Sequence, residues 1–211
     1  MKRFIAILSL AGIAFLLFAS FNRAAAAYLT ASLPGSSVLL PISPIQQRTS
    51  TSCGEAVIVM AHNYAHPDSL LDEASVIQYA AAQSYYTADL EPFTSPANMV
   101  RIVQHYGNDY STGNVINSDQ RLALLLMNLE NGNPVILDVL TYFNDPSTSA
   151  HFVLVTGIAL GPGDAITVFY NDPFTGRAEA SPWAGDGGLW NAWQNNGDPG
   201  GAGWFLVIPR P

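Results

Sequence analysis

One cysteine stands among the 211 residues, Cys53. It follows Arg48-Thr-Ser-Thr-Ser52 and precedes Gly54 and an apolar run, so it sits where a polar loop enters a helix. Unpaired N–H groups and the positive end of a helix dipole favour a thiolate there, and the thiolate is the nucleophilic form. A thiolate that attacks a carbonyl needs a base, most often histidine, and a group that orients the base. Four histidines are available. His62 and His66, four apart on one helix, could share a metal. The glutamate of the zinc-hydrolase motif is absent and no third ligand is evident, so they read as solvated or locally bonded. His105 ends a helix, a structural position. His151 opens the first strand of a hairpin. Folding that hairpin about Gly161-Pro162 sets His151 opposite Asp172, which would orient the ring. A slip of one residue would put Asn171 or Pro173 there instead. For the charge developing on a carbonyl oxygen, the Cys53 N–H is one donor. A side-chain amide upstream is another: Gln47, six residues before the cysteine, or Gln46, seven before.

Those residues need elements to hold them. The first half has helical spacing. Ala56, Val57, Met60, Ala61 and Tyr64 share a broad face after Cys53. A second helix is expected from a Ser69 N-cap, with Leu70, Ala74, Ile77 and Ala81 inward. A third runs from Ser95-Pro96 to Gly107, and a fourth from a Ser118 cap to Asn131-Gly132. The second half changes period. Residues 133–140 read as a strand, 151–160 and 165–173 as the hairpin, and 203–209 as a last strand. Residues 181–202 read as loop with one helical turn around Leu189–Trp193. Trp183, Trp190 and Trp193 are candidates for a cleft wall or for packing of the β half; Trp204, inside a strand, reads as packing. Helices first and antiparallel strands later predict an α+β domain.

Composition bounds the setting. The N-terminus carries Lys2 and Arg3, an apolar run from Phe4 to about Phe21, and Ala24–Ala27. That layout predicts a signal peptide over 1–27. The run is also about the ~20 residues that span a bilayer, so an uncleaved N-terminal membrane anchor is the alternative. Either one puts the remainder outside the cytoplasm, secreted or on the cell surface. Residues 28–43 read as a linker that ends near a short strand over 37–40, and 44–211 as one domain. Without residues 1–27 the chain keeps five arginines and no lysine against sixteen Asp and Glu, a net of −11. Such a chain repels phosphate backbones, so nucleic acid is not an expected partner. One cysteine allows no internal disulfide, which turns attention to its reactivity.

With these motifs in order, the chain resembles a papain-like cysteine peptidase. Gln47, five residues, then Cys53-Gly54 is similar to that clan's glutamine-then-cysteine motif. "HFVLVTGI" from His151 and "YNDPFTG" around Asp172 resemble its histidine strand and orienting residue. More narrowly it is similar to the double-glycine leader peptidases that process bacteriocin precursors and to their stand-alone secreted relatives. Those share a Q…S/D-C-G-x-A start, a strand entry like Asn131–Ile136, and an H-F/Y-V-x-V-x-G strand. The resemblance spans roughly residues 44–208. It implies a papain-like fold, with a cysteine helix on an antiparallel sheet. It also implies Cys53 as nucleophile, His151 as general base and then acid, Asp172 as its orienting carboxylate, and Gln47 as oxyanion donor. The substrate would be a peptide or protein, with no metal and no cofactor. The exporter-linked members face the cytoplasm in front of a transporter, so leader removal is not implied for this chain. Two other readings share the residues: a catalytically silent papain-like module that binds peptide or cell-wall ligands, and a transglutaminase-like thiol acyltransferase. Alkylation kinetics at Cys53 separate the first, and amine incorporation the second.

Overall fold

The run from Cys53 to Ala65 is apolar on nearly every side, and a helix of that kind belongs in the centre of a domain. In the computed structural model, which describes residues 37–211, it does. Helix α1 (Cys53–Ala65) buries every residue from Gly54 to His62. It lies between a helical layer and the sheet, among Val76, Met99, Ile102, Ile136, Phe152, Leu154 and Leu206. The helical layer is α2 (Glu73–Ala82) and α3 (Pro96–His105). A second apolar cluster fills the other side of the sheet, beneath α4 (Ser118–Glu130) and α5 (Leu189–Gln194).

The sheet contains β1 (Ser37–Leu39), β2 (Ser111–Asn114), β3 (Val135–Leu140), β4 (Ala150–Leu160), β5 (Ile166–Asp172), β6 (Arg177–Pro182) and β7 (Trp204–Val207). Its order is β2-β7-β3-β4-β5-β6, all antiparallel. β1 pairs the far half of β4, Ser37 against Ala159 and Leu39 against Gly157, continuing the line that β3 occupies along its near half. The short strand expected over 37–40 is thus paired into the sheet. Residues 1–27, read as a signal peptide or anchor, lie outside the described residues.

Helix starts differ from expectation at two places. α2 is capped by Asp72, whose carboxylate accepts from the N–H groups of Ala74 and Ser75. Asn63 hydrogen-bonds both backbone groups of Leu71 and so holds that stretch out of the helix. The inward face becomes Glu73, Val76 and Ala80, and Leu70 is exposed. α4 is capped by Asn117, which accepts from Asp119 and Gln120 N–H, leaving Ser118 as the first helical residue. The sequence also hides two strands. β2 (STGN) and β6 (RAEASP) are polar and largely exposed, as sheet edges are, so no apolar alternation marks them. The tryptophans pack: Trp183 and Trp193 are buried in the α4–α5 cluster with Trp190 against it, and Trp204 lies in the α1 cluster. The Arg121 guanidinium, itself buried, sits over the rings of Trp190 and Trp193.

Candidate active site

The loop that delivers Cys53 is fixed by side chains from elsewhere. One carboxylate oxygen of Glu73, at the start of α2, accepts from the Arg48 N–H (2.9 Å) and from the Ser52 hydroxyl (2.9 Å). The Tyr86 hydroxyl binds the hydroxyls of Thr49 and Thr51. Ser52 occupies the N-cap position of α1 but makes no capping bond there. Its oxygen instead accepts from the Thr49 N–H. Ser52 thus gives α1 no side-chain cap, and the Cys53 N–H, ahead of the amides that a cap reaches, can face an anion.

The hairpin brings the histidine. Its turn is longer than the sequence suggests: β4 ends at Leu160, β5 starts at Ile166, and Pro162–Asp164 form a 3-10 turn. His151 and Asp172 are therefore not directly opposite. Near the turn Leu160 pairs Ile166 and Gly157 pairs Phe169, a register that would carry Asp172 to the side away from His151. A bulge at Thr156, between the Val155 and Gly157 pairs, shifts the register by one. Leu154 then pairs Asn171, and the next step sets Asp172 against Val153, on the same side as His151 and diagonal to it. That diagonal is within reach of long side chains. The His151 Nε2–H donates to Asp172 Oδ1 at 2.8 Å, with both side chains largely removed from solvent. The same Oδ1 accepts from the Phe174 N–H at 2.8 Å, and the Phe174 ring meets the imidazole edge-on.

Burial alone would strip the proton from His151. The Asp172 hydrogen bond and the neighbouring Cys53 outweigh it and raise the ring to about 10. With Nε2 committed to Asp172, Nδ1 is the nitrogen left for the thiol. Burial pushes the Asp172 carboxyl up, and its bond to His151 leads the opposing contacts that leave it below the usual range. Cys53, His151 and Asp172 thus converge from α1, β4 and the end of β5.

Gln47 does not join them in the same way. Its backbone N–H donates to the Pro173 carbonyl at 2.8 Å, which ties it to the turn after Asp172. Its side-chain amide donates to the Thr49 carbonyl at 2.8 Å, and its Oε1 is buried without a partner. One amide hydrogen remains free of that bond. The other histidines are engaged elsewhere. Both His62 nitrogens are occupied, by Asn108 Oδ1 and the Ser69 carbonyl. His105 stacks on Tyr79 with centroids 3.6 Å apart.

Several carboxyls near the site escaped the sequence reading. Glu55, in the first turn of α1, is fully buried; it accepts from the Thr94 hydroxyl, and burial raises it to about 7. Asp138 lies inside β3, fully buried, pushed well above the usual range by burial and by Asp198 beside it. A carboxylate in the middle of the apolar run "VILDVL" was the available signal for it. Glu73 had none, since an acidic residue at a helix start reads as dipole complementation.

A central helix that opens on a cysteine, packed on an antiparallel sheet that supplies a histidine–carboxylate pair, defines the papain-like cysteine peptidase fold. The family model described as "Peptidase_C39 like family" matches residues 39–199, and the chain belongs to that family. Comparison with curated proteins finds no match.

Proposed function

We propose that the protein is an exported cysteine peptidase that cleaves peptide bonds through Cys53, His151 and Asp172. The observation that carries this reading is the convergence just described, a thiol at an uncapped helix start beside a buried imidazole held by a half-buried carboxylate. An imidazolium kept charged at neutral pH favours thiolate beside it. The sulfur attacks the scissile carbonyl carbon and a C–S bond forms. The oxyanion takes hydrogen bonds from the Cys53 N–H and from the free amide hydrogen of Gln47. Collapse breaks the C–N bond, and His151 Nδ1 gives its proton to the departing amine. Water then attacks the thioester, losing a proton to His151, and the C–S bond breaks to return the thiolate. Residues 1–27 supply the export signal or an anchor in this reading, and the substrate is an extracytoplasmic peptide or protein.

The test pairs hydrolysis with trapping. Wild-type protein should cleave an unfolded protein substrate, Cys53→Ala should not, and acid quenching should leave an acyl mass on the Cys53 peptide. Hydrolysis that survives Cys53→Ala would sink the assignment. So would a Cys53 that iodoacetamide alkylates no faster than a free thiol at neutral pH.

A further inference from the structure

The cleft beside Cys53 has a volume of about 300 Å³. Three segments wall it besides α1: residues 91–94 before α3, residues 147–150 at the start of β4, and Gly197-Asp198 after α5. Phe93, Pro92 and Phe152 give it an apolar floor. Glu91 and Asp198 give it two carboxylates; burial, and then the charge of Glu91 nearby, push the Asp198 carboxyl up. Among the described residues, no arginine, lysine or histidine lines it. Behind Asp198 stands Asp138, directly cross-strand from Phe152 and therefore on the side of the sheet that faces the cleft. Asp138 is fully buried, and its carboxyl, held protonated, hydrogen-bonds the carboxylate of Asp198. The fold holds the two aspartates together. Asn196 donates to the Asp138 carbonyl and accepts from the Asp198 N–H. Gly201 leaves the room, since a Cβ there would collide with an Asp138 oxygen and with Asp198 Cβ.

A buried carboxyl pressed against another makes a second negative charge there costly, and a shared proton or an incoming cation offsets that cost. Here Asp138 backs a second carboxylate in the wall of a cleft that already carries the nucleophile. An apolar slot with acid at its end fits a side chain that is a hydrocarbon stem with a cationic head. We infer that this cleft takes a lysine or arginine side chain of the substrate next to the scissile bond, with Glu91 and Asp198 binding its head. This rests on the peptidase reading for the word substrate, while the charge selectivity of the cleft stands apart from it. A negative cleft raises the local concentration of cations and their association rate by about tenfold or more.

Two measurements on the full chain test it. The first is digestion of a mixed peptide library, with cleavage sites read by mass spectrometry. Lysine or arginine should be enriched at one position flanking the cut, and Glu91→Gln with Asp198→Asn should remove the enrichment. The second is the rate at which Cys53 reacts with two methanethiosulfonates, one carrying trimethylammonium and one sulfonate. The cationic reagent should be favoured about tenfold over the ratio found for free cysteine. That preference should shrink in the double variant and, in the wild type, as salt is raised. Salt on the wild type keeps the test valid if the double variant does not fold. A reagent ratio equal to that of free cysteine overturns the inference, even if peptides are cleaved. A cation-favouring ratio with no cleavage of any peptide retires the peptidase reading and leaves the cation-selective cleft in place.

Discussion

Asp172 offers a perturbation whose size can be worked from two bonds. Its Oδ1 alone accepts from His151 Nε2 and from the Phe174 N–H, each at 2.8 Å. In Asp172→Asn both neighbours are donors, so the amide must place its oxygen there, and both bonds survive without the charge. A hydrogen bond to a charged group contributes about 1.5–3 kcal/mol and a neutral one about 1 kcal/mol, so the bond to His151, the one that bears on the rate, loses about 0.5–2 kcal/mol in the asparagine variant. That is on the order of tenfold in rate. Asp172→Ala removes the acceptor altogether, leaves the buried ring unheld, and should cost on the order of 10²–10³-fold. The assay is the alkylation rate of Cys53 against pH, with Cys53→Ala as the blank. The wild-type profile should break near pH 10, where His151 loses its proton. Because Asp172 raises that value, the break should move down in Asp172→Asn and further in Asp172→Ala. An alanine variant with the wild-type rate and profile, or an asparagine variant as damaged as alanine, refutes the orienting role.

Three other outcomes can be checked. Glu55 is raised from 4.5 to about 7, so the folded state holds its proton more tightly than the unfolded chain. Its contribution to stability is therefore complete below 4.5 and lost as pH rises through 7, about 3 kcal/mol in all. Glu55→Gln should flatten that slope in urea unfolding at pH 5 and 8; an unchanged slope contradicts it. Glu73→Ala releases the Arg48 N–H and the Ser52 hydroxyl, and should slow Cys53 alkylation. Glu73→Gln, which keeps an accepting oxygen, should recover most of the loss, and equal rates in all three remove Glu73 from loop positioning. In Gly157→Ala the new Cβ would stand 2.5 Å from the Val38 carbonyl oxygen, against backbone that cannot swing aside. β1 should detach at a cost of about 1–3 kcal/mol, seen as faster hydrogen exchange at Leu40, whose N–H bonds the Thr156 carbonyl.

The cysteine helix was legible because a polar loop gives way abruptly to an apolar run. The central strands were legible because they are apolar and long. The edge strands β2 and β6 were not, since a polar edge looks like a loop until its partner is known. The hairpin is the instructive case. Its strands follow from composition, but its register depends on a 3-10 turn and on the bulge at Thr156, neither of which leaves a mark in residue type. The expected turn was too short, and the bulge happened to restore the side on which Asp172 faces. The acidic wall was illegible for another reason. Glu91, Asp138 and Asp198 belong to three distant stretches, and only the packing of the loop after α5 against β3 unites them.

The pairing of β1 with the far half of β4 has a consequence for how the domain can be held. Ser37 enters the described structure opposite Ala159, while His151 stands at the other end of that strand. At about 3.4 Å per residue, the six to eight residues from His151 to Gly157–Ala159 span about 20–27 Å. Residues 37–40 run toward the site along β4 without crossing its mouth. Grafted to a bead, a fusion partner or a surface by the residue before Ser37, the domain would keep its thiol at the end remote from the attachment, open to whatever diffuses past.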